Sequence, residues 1–198
     1  MNNLFLKVSI LSASILLIIA LITYFKIDEV SKKNDLKFDT PFNLTSHKGE
    51  KISEKILSSR PNIVFFGFTH CPEVCPTTLY EISSWINEIK LSKEQIQVLF
   101  ISLDPKRDTV QKLEEYLSSF DETFKGLTGD ENEIVKLANS WGIYRKIVST
   151  DDDYTIDHTS TIFLINQNFS LKGTIAYREH SDVALSLIHI SEPTRRRT

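Results

Sequence analysis

An unbroken apolar run, Asn62 to Phe68 (NIVFFGF), leads almost directly into the only two cysteines of the chain, Cys71 and Cys75, and a helical pattern begins behind them. A short run of β-branched and aromatic residues with no polar alternation suits a strand buried on both faces. Leu79, Ile82, Ile86 and Ile89 then recur at helical spacing, which gives a helix one apolar face. The order strand, cysteines, helix restricts the fold to one in which a central strand delivers two thiols to the start of a helix. Two thiols scattered over 198 residues would rarely fall four positions apart. Such a pair can close a disulfide, exchange electrons with another thiol pair, or grip a soft metal.

The remaining patterns extend this unit. Phe42-Asn43-Leu44 and Lys51-Ile52 flank Ser46-His47-Lys48-Gly49 as in a hairpin. Ile96 to Leu103 (IQVLFISL) reads as a second buried strand. Val110–Phe120 and Glu131–Trp141 read as helices, the latter stopped by Gly142. Thr161–Ile165 and Gly173–Tyr177 form a strand pair around the Asn166-Gln167-Asn168 turn, and Ser181 to Ala184 opens a last helix. Strands alternating with helices, then a hairpin and a closing helix, predict an α/β, thioredoxin-like domain with a central sheet flanked by helices.

The ends read differently. Val8 to Phe25 holds eighteen uncharged, mostly apolar residues between Lys7 and Lys26. A spanning helix needs about 20 such residues, and Ile22-Thr23-Tyr24-Phe25 is a poor signal-peptidase site. Residues 1–26 are therefore expected to be an uncleaved transmembrane anchor, 27–39 a charged tether and 40–184 the thioredoxin-like domain. Leu185 to Arg195 (LSLIHISEPTR) resembles the in-frame translation of a transposase-derived sequencing adapter, so 185–198 is expected to be a non-native tail. With 26 acidic and 23 basic residues, the chain carries no basic surplus that would suggest nucleic acid.

Cys71 precedes Pro72 and Cys75 precedes Pro76, and a residue before proline is pushed out of the α region. The helix is thus expected to begin at Pro76, with Cys75 at its cap and Cys71 in the turn before it. The helix N-terminus favours thiolate over thiol. The CxxxC spacing departs from the CxxC of disulfide oxidoreductases, and no proline precedes the Thr161–Ile165 strand, where thioredoxins resemble one another in placing one. That position holds Asp157-His158-Thr159-Ser160. An imidazole there could complete a two-sulfur, one-nitrogen site, a donor set that suits copper, Cu(I) above all. Asp157 is a candidate partner orienting it.

GFTHCPEVCPTTL, the run Ser102-Leu103-Asp104-Pro105-Lys106-Arg107-Asp108-Thr109, and Asp157-His158-Thr159-Ser160 together resemble the Sco/SenC family over roughly Phe38 to Ser181. The resemblance implies a membrane-anchored domain of the peroxiredoxin/Sco type, on the periplasmic side of the inner membrane or, in mitochondria, in the intermembrane space. It implies copper, as Cu(I) with Cu(II) as a second state, held by Cys71, Cys75 and His158. It implies a chaperone rather than an enzyme, acting on the dinuclear copper centre of cytochrome c oxidase subunit II. A copper donor protein and a thioredoxin-like reductant would be further partners. The second reading is a thiol–disulfide reductase working through a Cys71–Cys75 disulfide. His70 is an alternate ligand or a residue that shapes the loop. Asp104, Arg107 and Asp108 order the site, or Asp108 or Thr109 caps the next helix. His47 and His180 read as surface residues, and Trp85 and Trp141 as packing groups.

Overall fold

The computed structural model describes residues 13–24, 36–151 and 153–191. Two compact units divide the chain, Met1–Leu36 and Lys37–Thr198. In the first, residues 13–24 are helical (α1). The expected anchor over Val8–Phe25 lies partly outside the described residues, and among those described no helix is long and apolar enough to cross a membrane.

The second unit is built on a seven-stranded sheet. Its strands are β1 (Asn43–Ser46), β2 (Lys51–Ser53), β3 (Asn62–Gly67), β4 (Gln97–Ser102), β5 (Phe124–Thr128), β8 (Ile162–Ile165) and β9 (Leu171–Ile175), ordered β2-β1-β5-β4-β3-β8-β9. At its centre β3 and β4 pair in parallel, Asn62 against Gln97 through to Gly67 against Ser102. Every residue of both strands is buried, so their side chains divide between two cores. Ile63, Phe65, Val98 and Phe100 join one face; Val64, Phe66, Leu99 and Ile101 join the other. This is the condition that removes polar alternation from the sequence. A separate two-stranded ribbon joins β6 (Arg145–Ser149) to β7 (Tyr154–His158).

Helices cover both faces. Cys75, Thr78, Leu79, Ile82, Trp85 and Ile86 of α2 (Val74–Glu88) are buried, and the apolar ones enter the first core together with Leu113 and Leu117 of α3 (Val110–Leu117). Thr109 caps α3, its hydroxyl accepting from the Lys112 N–H. Ile134, Leu137 and Ala138 of α4 (Glu131–Ser140) enter the second core. Gly142, with φ of +68°, ends α4 as expected, because only glycine takes that backbone freely. Trp141 is buried among Phe38, Phe66 and Phe163, a packing group as its sequence suggests.

Several placements differ from the sequence reading, the β6–β7 ribbon among them. The strand β5 is not visible in the sequence, because Phe124-Lys125-Gly126-Leu127-Thr128 carries neither an unbroken apolar run nor a clean alternation. His47 is buried: its Nδ1 accepts from the Gly126 N–H at 3.1 Å, so the β1–β2 turn is stapled onto β5 and is not a surface loop. The closing helix α5 (Ser181–Ser191) runs across the boundary expected at Ala184. Ala184 and Ile188 are fully buried and Leu185 and Leu187 pack beside them, so residues past 184 cover the first core. Replacing Ile188 by alanine is therefore expected to cost about 2–5 kcal/mol of stability, read as a lower urea midpoint at unchanged m-value. A change below about 0.5 kcal/mol would show that α5 does not dock.

Candidate metal centre

Cys71 lies in the loop between β3 and α2, its N–H donating to the Phe68 carbonyl at 3.2 Å. The helix begins two residues earlier than its proline suggests: Val74 is its first residue and Cys75 its second. Pro76 still fits, since a first-turn position needs no donor. Glu73, at the N-cap, makes no side-chain capping bond. The Cys75 N–H donates instead to Cys71 Sγ at 3.3 Å. A sulfur thus takes the capping role that an oxygen usually fills.

The two thiols are free and unequally placed: Cys71 is half-buried and Cys75 is buried. A hydrogen bond from the Cys75 thiol, above all, holds Cys71 down to about 4. Burial opposes that shift, while His158 and the N–H groups of Cys75 and Glu73 support it. Cys75 is pushed far up, first because it donates to Cys71 and then by burial. The two directions are opposite, so Cys71 is the readier thiolate and Cys75 the sulfur that keeps its proton longer. Gly67, the last residue of β3, makes the space: a Cβ there would stand 2.8 Å from Cys75 Sγ and 2.8 Å from the Phe100 ring.

His158 ends β7, and its Nε2 stands 3.8 Å from Cys75 Sγ. Its Nδ1 lies 2.8 Å from the Thr159 carbonyl. A carbonyl only accepts, so Nδ1 carries the hydrogen and Nε2 faces the sulfurs, where a hydrogen on it supports the Cys71 thiolate and its lone pair, once that hydrogen is gone, is free for a metal. Phe68 and Phe65 hold the ring edge-on at centroid distances of 5.7 and 6.4 Å. Cys71, Val74, Ile156, His158 and Ser160 line an open cavity of about 170 Å³ beside this cluster. A larger hollow of about 490 Å³ between α2 and α3 is lined by neither cysteine. Among the described residues, no three His, Cys, Asp or Glu side chains are drawn together into a finished metal-ligand set. The fold supplies a thiolate, a thiol and an imidazole nitrogen as neighbours. The observed 3.8 Å sulfur–nitrogen separation is close to the roughly 3.6–3.8 Å that follows from metal–ligand bonds near 2.3 and 2.05 Å at tetrahedral to trigonal angles.

The other candidates fall around this cluster in different roles. Asp157 is exposed and lines the cavity beside this cluster, and the Thr159 carbonyl rather than Asp157 takes the His158 Nδ1 bond. His70 is exposed and bonds the Thr69 hydroxyl at 3.2 Å, so it shapes the loop. Asp104 is buried and accepts from the Tyr154 hydroxyl at 2.7 Å and from Arg107. The Arg107 guanidinium lies 3.7 Å over the Tyr154 ring. Asp108 does not cap α3. It accepts from the Thr69 hydroxyl and the Ser102 hydroxyl, each at 2.6 Å, and from the Thr69 N–H, and burial raises its pKa. Thr69 and Ser102 lie within the motif runs, whereas Tyr154 and Arg145 carry no signal in the sequence that marks them for the site.

A parallel α/β core that offers a dithiol at a helix start defines a thioredoxin-like protein, and an imidazole beside the thiols sets it apart from ordinary oxidoreductases. The profile of the SCO1/SenC family matches residues 30–190. The chain is 40% identical over 128 residues to Protein SCO1 homolog 1, mitochondrial, of Arabidopsis thaliana, covering 64% of this chain and 38% of that protein. It is 35% identical over 139 residues to the SCO2-like protein RP587 of Rickettsia prowazekii, covering 69% and 68%. The structure of Bradyrhizobium japonicum ScoI with copper bound superposes with a TM-score of 0.71 at 39% identity, over 77% of this chain and 98% of that one. The chain belongs to the SCO1/SenC family, although it spans only about two fifths of the plant mitochondrial relative.

In the metal-free, reduced protein, Cys71 is expected to react with iodoacetamide at a nearly constant rate from pH 8 to 6, slowing only as pH falls through about 4. An ordinary thiol with pKa near 8.5 would slow about tenfold per pH unit over the same range. That steep slope would contradict this ordering of the two thiols. Gly67→Ala is expected to destabilise the chain by about 1–3 kcal/mol through overpacking against Cys75 and Phe100, read as a lower thermal midpoint.

Proposed function

We propose that this protein is a copper metallochaperone in which Cys71, Cys75 and His158 hold one Cu(I) and help to build the dinuclear copper centre of cytochrome c oxidase subunit II. The observation that carries this reading is the placement of His158 Nε2 at 3.8 Å from Cys75 Sγ, with its lone pair directed by the Nδ1 bond to Thr159. Two sulfur donors and one imidazole favour a soft monovalent ion. Copper-bound structures of the related Bradyrhizobium japonicum and Arabidopsis thaliana proteins support the same choice. On binding, Cys75 gives up the proton it holds and both sulfurs become thiolates. Cys71 is the more exposed of the two, so an incoming thiolate from the acceptor displaces it first and Cys75 last. Three-coordinate copper leaves one side open to that attack.

The membrane anchor over residues 1–26 and the tether over 27–39 belong to this proposal. They would hold the domain near a membrane-embedded oxidase, on the periplasmic side in a bacterium or in the intermembrane space of a mitochondrion. A copper donor protein must load the site, and a thioredoxin-like reductant must keep the thiols reduced, because the disulfide has no thiolates to offer.

A second reading rests on the unequal cysteines. A half-buried thiolate beside a buried thiol is the arrangement a dithiol reductase uses. The Cys71 thiolate would attack a disulfide of the oxidase subunit and form a mixed disulfide, releasing one thiolate of the substrate. The Cys75 sulfur would then attack Cys71, release the second substrate thiolate and leave a Cys71–Cys75 disulfide, for which the thioredoxin-like reductant supplies the electrons.

The two readings separate at His158. The reduced full-length chain is expected to bind one Cu(I), and the disulfide form none. His158→Ala is expected to weaken copper binding about tenfold or more, while exchange with a small disulfide such as oxidised glutathione stays within about threefold of wild type, since the imidazole is one of several groups supporting the Cys71 thiolate. Unchanged copper affinity in His158→Ala would sink the chaperone reading.

A further inference from the structure

The β6–β7 ribbon stands outside the seven-stranded sheet. Sheet hydrogen bonds therefore do not hold His158, its last residue, beside the sulfurs. Arg145, the first residue of β6, is the direct partner of His158 in the ribbon register. Its side chain is only 13% exposed, and its guanidinium reaches back across the loop after β4. Nε donates to the Leu103 carbonyl at 2.7 Å, and Nη2 donates to Glu131 Oε1 at 3.2 Å. The Leu103 N–H in turn donates to the Gly67 carbonyl at 2.7 Å. Gly67 is the residue against which Cys75 Sγ packs.

One continuous path of backbone and guanidinium bonds thus runs from the ribbon that carries His158 to the strand end that seats Cys75. We propose that Arg145 is the positioning residue that fixes the imidazole beside the two sulfurs. The planar fork matters here. It serves a carbonyl and a carboxylate at once, which a single ammonium cannot do in the same geometry. The far end of the ribbon has its own attachment: Arg107 donates to the Tyr154 carbonyl at 2.9 Å, and the Tyr154 hydroxyl donates to Asp104. Loss of Arg145 therefore loosens the His158 end and leaves the rest of the ribbon docked. The inference rests on the copper reading only for its consequence; the placement itself is tested without metal.

The experiment uses the reduced, metal-free full-length chain and reads NMR contacts between the His158 ring and the Phe68 ring, whose centroids lie 5.7 Å apart. Arg145→Met keeps most of the side-chain volume and removes both bonds. It is expected to weaken those contacts strongly while contacts between Phe65 and Phe100, deep in the core, persist. Arg145→Lys is expected to restore part of the pattern, and the exposed neighbour Lys146→Met to change nothing. Cu(I) affinity, measured against a chromophoric chelator, is expected to fall about tenfold in Arg145→Met, the lower end of what outer partners of metal ligands contribute. Wild-type His158–Phe68 contacts in Arg145→Met would overturn the proposal. If that variant loses its core contacts as well, Arg145→Lys decides, and an unchanged contact pattern there would overturn it. If the contacts weaken but the wild-type chain takes up no Cu(I), the positioning role stands and the copper reading falls.

Discussion

The parallel pairing of β3 with β4 is the constraint on which the rest depends. The two strands run in step from Asn62 and Gln97 to Gly67 and Ser102, and both are buried on both faces. Their C-terminal ends therefore open at the same edge of the sheet, where α/β folds place ligand sites. One end releases the loop with Cys71; the other releases Leu103 to Asp108. These two loops then bond each other, through Leu103 to Gly67 and through Asp108 to Thr69. The second loop also carries the ribbon with His158, held by Arg145 at one end and by Arg107 and Asp104 at the other. A register slip between β3 and β4 would break the two bonds that join these loops.

The chemistry follows from how unequal environments are forced on two identical side chains. Gly67 lets Cys75 sink against the sheet, where ionisation is costly. Cys71 remains at the surface and receives the donors of the helix start together with the Cys75 proton. A pair with both thiols protonated would bind metal slowly, and a pair with two buried thiolates would repel itself. One retained proton limits the pair to a single negative charge, on the half-buried sulfur, and leaves the buried one to ionise when a cation arrives. The same asymmetry suits disulfide exchange, so only the imidazole distinguishes carrying a metal from moving electrons.

Much of this was legible in the sequence where burial leaves a pattern. NIVFFGF and IQVLFISL declare two-sided burial, and the helices show their apolar stripes. The motif residues Cys71, Cys75 and His158 follow from their spacing, the absent proline and the family resemblance. The structure does bring Cys75 and His158 within 3.8 Å. The illegible parts share one physical cause: their residues are placed by long-range partners that leave no local period. Strand β6 is mostly exposed and β7 mostly half-buried, β5 is short, and His47 is held against β5 by two bonds to Gly126. Asp108 read as a cap because it precedes a helix; its partners lie 39 and 6 residues away. Asp157 read as the group orienting the imidazole because it is adjacent in sequence, yet the Thr159 carbonyl takes the Nδ1 bond.

The central claim is that three side chains, from a loop, the helix behind it and a distant strand, hold one ion together. X-ray absorption at the copper edge of the reduced, Cu(I)-loaded chain tests it most directly. The account predicts a first shell of two sulfurs and one imidazole nitrogen, with the imidazole scattering lost in His158→Ala. A shell of sulfur alone in the wild-type chain, or a His158→Ala spectrum identical to it, would contradict the account.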